Sequence, residues 1–283
     1  MDAPDRSSLP RHASSPQRAA LPDSVDATAA LDPIFSEVLE RGLTALALPL
    51  DDMARDAIAA HVRLLLAWNE HINLSGLRTP EEVARGHVLD ALLAVAPLRD
   101  ICRERPSLLD LGSGGGFPGV PLAVALPARR AALVDSIGKK AAFLRVAAAA
   151  VADVVQVDVM AERAEDLAEQ PDQREAWDIV TARAIGSVAQ VAELGLPLVR
   201  IGGHVVAWKS AGPAGQDGKV ESEISDADRI IRSLGGESAR VVELPLADDV
   251  GLPGHCLVVI EKVRSTPDGY PRGAGERRRR PLG

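Results

Sequence analysis

Five glycines lie within eight residues in the middle of the chain, and acidic residues stand on both sides of them. Residues 108–119 read LLDLGSGGGFPG, with Asp110 just before the glycines and Asp135 following about 20 residues later. Because glycine has no Cβ, the backbone of such a stretch can approach a ligand closely. The pattern predicts a ligand-binding turn between a strand and a helix.

Two kinds of ligand fit this turn. The spacing of Gly114, Gly116 and Gly119 matches G-x-G-x-x-G, which indicates a dinucleotide and so a nicotinamide-dependent dehydrogenase. The glycines begin earlier, however, at Gly112, and a carboxylate of Asp110 at the strand end would repel a pyrophosphate. S-adenosylmethionine carries no phosphate, so the acid favours that ligand. Asp135 can accept hydrogen bonds from the ribose hydroxyls of either one.

Further candidate residues follow other apolar segments. Glu165 and Asp166 in RAEDLA stand where an adenine edge could bind, although acids are also ordinary in the first turn of a helix. Arg183 follows the segment WDIVTA. Residues at the carboxyl ends of parallel strands meet at one edge of a sheet. The cofactor site predicted from these residues comprises Asp110, Gly112, Gly114, Asp135, Ser136, Glu165 and Arg183.

The elements that would position these residues can be read from the apolar pattern. Seven short apolar segments alternate with helical stretches after Pro106, namely SLLDL, AALVD, VVQVDV, WDIVTA, GHVVAW, ARVVELP and CLVVIEKV. Such alternation predicts an α/β fold with a seven-stranded parallel sheet covered on both faces. Apolar residues from Pro33 to about Arg105 have helical spacing. We expect a disordered extension over 1–31, a helical section over 32–105, a sheet domain over 106–263 and a basic tail over 264–283.

Composition narrows the class of protein. Two cysteines, Cys102 and Cys256, are too few for a disulfide framework, and the six histidines are scattered, so no metal site is expected. No secretory signal or membrane-length apolar run is present, which favours a cytoplasmic protein without membrane contact. The net charge is −8, yet residues 262–283 contain seven Lys or Arg and only two acids. An acidic body with a basic tail can still be attracted to a polyanion.

The ordered set LLDLGSGGGFPG, LVDSIGKKAAFLR, AEDL, VTARAI and LVVIEK resembles the bacterial ribosomal RNA small subunit methyltransferase G family, also called glucose-inhibited division protein B. The segments WNEHINLSG and GYPRGAGERRRRPL are similar to the family's flanking motifs, and the resemblance covers roughly residues 35–283. It implies a Rossmann-like methyltransferase fold with a helical N-terminal section, S-adenosylmethionine as the methyl donor and N7 of a guanine in 16S rRNA as the acceptor. The partner would be 16S rRNA or the small ribosomal subunit, and we expect a monomer.

Carried over by motif, the family's cofactor contacts fall on Gly112, Phe117, Ala164, Glu165 and Arg183. The chain departs from the family pattern on the RNA side. Gly86 and Ala91 in RGHVLDA stand where the family has arginine and serine, and Ser210 stands where it has glycine. His255-Cys256 replaces an Arg-His pair before LVVI.

The residues are consistent with an acceptor that needs no general base. Guanine N7 carries a lone pair and no proton, so alignment of nucleophile, methyl group and sulfur suffices. The segment after the fourth strand reads TARAIGSV, without the Pro-Pro-aromatic cluster of methyltransferases acting on exocyclic amines, and neither cysteine stands where it could attack a pyrimidine ring. N7 or a ribose oxygen remains, and the resemblance implies N7.

The predicted RNA contacts are Asn73, His87, Lys209, Tyr270, Arg272, Arg277, Arg278, Arg279 and Arg280. Tyrosine stacking combined with phosphate neutralisation is a known way of binding single strands. A solvated lysine, a surface histidine and a flexible solubilising tail are the plainer interpretations of the same residues. The tail follows the seventh strand, so we expect it to lie apart from the cofactor. A non-catalytic RNA-binding protein is a third reading of the chain.

Overall fold

The computed structural model describes residues 20–102, 104–210, 218–280 and 282. Its centre is one seven-stranded sheet in the order β3-β2-β1-β4-β5-β7-β6, so the predicted α/β fold is confirmed. The strands are β1 Ser107–Leu111, β2 Arg130–Val134, β3 Val157–Met160, β4 Trp177–Arg183, β5 Val199–Ser210, β6 Arg240–Glu243 and β7 His255–Glu261.

The sheet is mixed rather than fully parallel. Strand β7 runs antiparallel to both of its neighbours, β5 and β6, while the pairs from β3 to β5 are all parallel. A parallel neighbour needs a long crossover, usually through a helix, whereas the connection from β6 to β7 is residues 244–254, which form turns. A buried apolar strand reads the same in either direction, so its composition could not reveal the reversal.

Helices cover both faces of the sheet. The helices are α1 Ile34–Ala45, α2 Asp52–Asn69, α3 Pro80–Val83, α4 Asp90–Leu92, α5 Val95–Ile101, α6 Gly119–Ala125, α7 Gly138–Ala150, α8 Ala164–Glu169, α9 Val188–Gly195, α10 Lys219–Ser233 and α11 Ala274–Arg279. A π-helix, Ala84–Leu89, joins α3 to α4. One core lies between the sheet and α1, α2, α6 and α7, and the other lies under α8, α9 and α10.

The helical N-terminal section shares its core with the sheet. Helix α1 buries Phe35, Val38, Leu39 and Leu43, which recur with the period of one helix face. Helix α2 packs on α7, and the rings of Trp68 and Phe143 meet edge to face at 5.6 Å. The section is therefore a layer of the same folded unit and packs against the sheet through a shared apolar core.

Part of the expected N-terminal extension is placed against α2. Arg63 donates to the carbonyl oxygens of Val25, Thr28 and Ala29. The indole N–H of Trp68 donates to Pro22 over 2.7 Å. These contacts use backbone carbonyls, which every residue has. The sequence of residues 20–31 therefore carried no signal that would have predicted them. Residues 1–19, the rest of the extension expected to be disordered, lie outside the described residues.

The expected basic tail is an ordered segment in the structure. We call residues 264–280 the C-terminal strap. Because β7 is antiparallel, it ends at the amino edge of the parallel strands, where Glu261 pairs with His204. From there the strap returns to the carboxyl edge, where α11 brings Arg277 to Glu165. The strap therefore does not lie apart from the predicted cofactor site.

Candidate functional site

A cavity of about 150 Å³ lies at the carboxyl edge of the sheet, between the ends of β1 and β2 and the beginning of α8. Five residues of the predicted cofactor site line it, which are Gly112, Asp135, Ser136, Ala164 and Glu165. The other lining residues are Leu111, Val134, Glu162, Arg163, Ile185 and Leu194. We call this cavity the donor pocket. Its apolar members were missed because nothing in their sequence neighbourhood separates them from ordinary core residues.

The glycine loop has the backbone that the sequence predicts. Gly112, on the wall of the donor pocket, has a φ of +63°, a conformation that residues with a Cβ rarely adopt. Gly119 opens α6 and lies so close to β2 that a Cβ there would come within 2.3 Å of a Leu133 methyl group. The loop therefore needs glycine for two reasons, namely its conformation at Gly112 and the close approach of helix and strand at Gly119.

Asp135 connects the second strand to the glycine loop. Its carboxylate accepts from the backbone N–H of Gly114 at 3.0 Å and from that of Ile137 at 2.8 Å. Asp135 is 5% exposed and lines the donor pocket. A carboxylate has about four lone-pair positions, so two remain for hydroxyl donors of a ligand. Asp135 can therefore hold the loop and bind a ribose at once.

Asp110 occupies a different place from the one expected. It is 0% exposed, and its two oxygens accept from the hydroxyl of Thr181 at 2.7 Å and from the backbone N–H of Gly119 at 3.2 Å. Burial raises its pKa to about 6, against the opposing effect of these hydrogen bonds. Asp110 thus joins β1, β4 and α6 from inside, and its carboxylate does not line the donor pocket. The charge argument that favoured S-adenosylmethionine through Asp110 does not apply to this geometry.

Phe117 and Arg183 belong to a second group of side chains beside the helical section. The ring of Phe117 lies between those of His61 and His87, with centroids 4.6 Å away in each case. Arg183 donates to Asp90 at 2.9 Å, lies 2.8 Å from Nδ1 of His87 and stands over the Phe117 ring at 5.7 Å. Neither Phe117 nor Arg183 lines the donor pocket.

Asp90 is the centre of that group and was missed as a site residue. It is 2% exposed and accepts from Arg183 and, at 2.8 Å, from Nδ1 of His255. Asp90 and His255 stand 165 positions apart in the chain. The only sequence signal was the family motif around RGHVLDA. We call Asp90, His87, Phe117, Arg183 and His255 the Asp90 cluster.

His87 is held inside the Asp90 cluster rather than on a free helix surface. Its Nε2 lies 2.6 Å from the hydroxyl of Ser75, and burial followed by the charge of Arg183 lowers its pKa to about 4. A neutral imidazole is therefore the form present at pH 7. Such a ring suits packing and hydrogen bonding better than attraction to a phosphate.

Three other predicted RNA contacts have partners within the protein. Lys209 pairs with Glu223 at 2.7 Å and also donates to the Gly186 carbonyl at 3.0 Å. Arg272 forms a two-bond ion pair with Glu193, which is 1% exposed. Tyr270 is half-buried and packs against the core under α8, α9 and α10. The sequence predicts exposed cations and an exposed ring here because it does not show which side chains pair or pack across the fold.

The remaining predicted RNA contacts divide into two groups. Arg277 is engaged by Glu165, whereas Arg278, Arg279 and Arg280 are exposed, as is Asn73. The four consecutive arginines therefore differ in environment although their sequence is uniform. The exposed ones stay predictions.

A larger groove shares no lining residue with the donor pocket. It has a volume of about 400 Å³, lies between α5 and β6 and is lined mainly by aliphatic side chains such as Leu92, Leu98 and Leu257. Within the described ranges, no three His, Cys, Asp or Glu side chains are grouped so as to hold a metal ion. Among the same residues, no helix combines the length and apolar character needed to cross a membrane.

A mostly parallel sheet that continues from β1 into a glycine loop, with an acid after β2 bonded to that loop, is the Rossmann-like architecture of S-adenosylmethionine-dependent methyltransferases. The family model described as rRNA small subunit methyltransferase G matches residues 55–243. The chain belongs to this family.

Relatives support the membership over most of the chain. Ribosomal RNA small subunit methyltransferase G of Roseiflexus sp. strain RS-1 is 40% identical over 235 residues, which is 83% of this chain and 94% of that protein. The protein of the same name from Symbiobacterium thermophilum is 37% identical over 264 residues, or 91% of this chain and 100% of that protein. The one from Clostridium botulinum strain Eklund 17B is 34% identical, covering 88% and 99%.

Proposed function

We propose that this chain transfers the methyl group of S-adenosylmethionine to N7 of a guanine in 16S rRNA. The observation that carries the proposal is the donor pocket, where Asp135 binds the glycine loop and faces the same cavity as Glu165, in a chain of the methyltransferase G family. The relatives' names specify ribosomal RNA of the small subunit as their substrate.

The residues of the donor pocket fit the chemistry of this donor. Asp135 offers acceptors to the two ribose hydroxyls, Gly112 allows close backbone contact, and Ala164 with Glu165 forms the wall suited to the adenine. The sulfonium of the donor supplies an electrophilic methyl group. The protein contributes by holding donor and acceptor in line, and this alignment removes a large part of the barrier in such transfers.

No proton has to leave guanine N7, so the transfer needs no general base. Asp110 is buried with both oxygens bonded, and Asp90 is paired with Arg183 and His255. Neither carboxylate is free to act as a general base.

Binding of the donor tests the first part of the proposal. We expect calorimetry to detect S-adenosylmethionine binding and no binding of NAD. The variant Asp135→Ala should bind the donor about 10- to 100-fold more weakly, since one charged acceptor of hydroxyl donors is worth roughly 1.5–3 kcal/mol. Asp158→Ala, which removes an exposed acid from β3, is the matched control. Equal affinities of the two folded variants would remove Asp135 from the site.

Mapping of N7-methylguanine tests the second part. The modification should be absent from 16S rRNA of cells that lack the gene and return with the wild-type gene. In vitro transfer to naked 16S rRNA and to small subunits then identifies the substrate. Donor binding without any transfer to either RNA would favour a non-catalytic RNA-binding protein. A monomeric state and a cytoplasmic location stay predictions.

A further inference from the structure

We propose that Arg277 is a positioning residue of the donor pocket, and that the C-terminal strap is part of the donor site and not only an RNA-binding tail. Through its ion pair with Glu165, Arg277 holds the turn that begins α8 against the cavity. The proposal rests on the proposed function, because it takes the donor pocket to be the site of S-adenosylmethionine.

The strap is attached at its beginning by a buried lysine. Lys262 is 0% exposed, and its ammonium donates to the Leu196 carbonyl at 2.6 Å and to the Thr266 hydroxyl at 2.9 Å and pairs with Glu175 at 2.7 Å. Glu175 in turn accepts from the backbone N–H of Thr266 at 2.8 Å. A buried charge with this many partners fixes the point at which the strap leaves the sheet.

Two arginine contacts guide the strap along α9. Arg174 donates to the carbonyl oxygens of Thr266 and Tyr270 at 3.1 and 2.8 Å. Further on, both oxygens of Glu193 accept from Arg272, at 2.7 and 2.9 Å, and the Arg272 backbone N–H adds a third bond at 3.2 Å. Bidentate pairs of this kind fix geometry as well as charge. The strap is therefore directed toward the carboxyl edge by contacts that precede Arg277.

The final contact reaches the donor pocket itself. The Arg277 side chain is 17% exposed and that of Glu165 is 10% exposed, and Glu165 lines the cavity next to Arg163 and Ala164. Without Arg277, the Glu165 carboxylate would be left with little water and no cation among its described contacts. Leaving one member of a buried pair alone is strongly unfavourable, so Glu165 would turn outward and carry the 163–165 turn with it.

Arg277 makes this contact with one of its nitrogens. Nη2 bonds Glu165, while Nε is buried and has no hydrogen-bond partner in the described part of the chain. A lysine at this position could therefore replace the single charge-assisted bond, which it could not do at the bidentate Arg272. The neighbour Arg278 is exposed on the same helix, so its removal changes the charge of the strap equally without touching Glu165.

The experiment compares Arg277→Ala, Arg277→Lys and Arg278→Ala in the full chain by calorimetry with S-adenosylmethionine. We expect Arg277→Ala to weaken donor binding by about fivefold or more, a factor typical of coupled sites, and the other two variants to remain within about twofold of wild type. Circular dichroism melting checks that each variant is folded. Equal affinities of Arg277→Ala and Arg278→Ala would overturn the proposal.

Hydrogen–deuterium exchange of the ligand-free proteins gives a second readout. Amides of residues 161–169 should exchange faster in Arg277→Ala than in Arg278→Ala, and unchanged protection would also overturn the proposal. Failure of the wild type to bind S-adenosylmethionine would instead reject the proposed function, and with it the role of Arg277 in a donor site. The two failures are thus told apart by the wild-type titration.

Discussion

His61 joins the helical section to the glycine loop through a single side chain. Its Nε2 lies 2.8 Å from the carbonyl oxygen of Gly115, and its ring is 0% exposed beside Phe117 and Phe143. Burial lowers its pKa to about 4, against a smaller opposing effect of the Gly115 carbonyl. A neutral imidazole is therefore part of the packing that fixes the loop.

This burial predicts a pH dependence of stability. A histidine with a lowered folded-state pKa binds fewer protons when folded than when unfolded. Its contribution to the free energy of unfolding is therefore complete above pH 6.5 and is lost as the pH falls toward 4. His87 acts in the same direction, whereas Asp110, whose pKa is raised to about 6, stabilises the fold on acidification. A comparison with a variant is needed to isolate the share of His61.

Urea unfolding of wild type and His61→Gln between pH 7 and pH 4 measures that share. The glutamine amide can keep a bond to Gly115 and does not titrate. We expect the wild type to lose about 3 kcal/mol more than the variant over this range. His71→Gln, at an exposed histidine just after α2, should follow the wild-type curve. Parallel curves for wild type and His61→Gln would contradict the assignment.

At the scale of elements, the ion pair of Arg272 with Glu193 holds the strap against α9. Arg272 is 11% exposed and Glu193 is 1% exposed, so the pair is largely removed from water. Its glutamate sits within α9, whose other face packs into the core beneath the sheet. Removing the arginine leaves a buried carboxylate that water cannot reach without local opening.

We expect Arg272→Ala to lower the free energy of unfolding by about 3 kcal/mol, because the cost is that of an uncompensated buried charge. Arg279→Ala, which removes an exposed arginine of the same strap, should change it by less than about 0.5 kcal/mol. Chemical denaturation of the two variants provides the measurement. A loss of similar size in both would mean that the strap contributes through its total charge.

At the scale of the whole molecule, the charge distribution determines how an acidic protein meets RNA. The chain carries −8 in total, yet Arg278, Arg279 and Arg280 are exposed at the end of the strap, near the carboxyl edge. Each phosphate contact releases counterions, which makes binding depend on salt. Arg277 and Arg272 have internal partners and are not counted among these contacts.

The triple change of Arg278, Arg279 and Arg280 to glutamine should make the slope of log affinity for small subunits against log salt shallower by about 2, or about 0.7 for each contact with unpaired RNA. Donor affinity should stay within about twofold of wild type. Arg229→Gln, near the end of α10 that points to the amino edge, is the control. An unchanged slope would leave these arginines without a role in RNA binding.

The sequence by itself determined the fold class and five of the eleven residues that line the donor pocket. All seven strands were readable because each is a short apolar run between turns. Gly112, Asp135, Ser136 and Glu165 were found because a parallel sheet brings its strand ends to one edge, and Ala164 was found through the family motif. Local composition carries this information, since the positions of strands, helices and turns follow from residue types that are close in the chain, whereas the direction of β7 does not.

Only the tertiary structure decided which charged side chains are free. Asp110 faces inward, and Asp90 pairs with Arg183 and His255. Arg277 is paired with Glu165 whereas Arg278 is exposed, although both are arginines in the same helix. Each of these outcomes depends on a partner many positions away, brought close by packing. The reversal of β7 has the largest effect of this kind. By ending that strand at the amino edge, it sends the basic segment back across the sheet to the donor pocket.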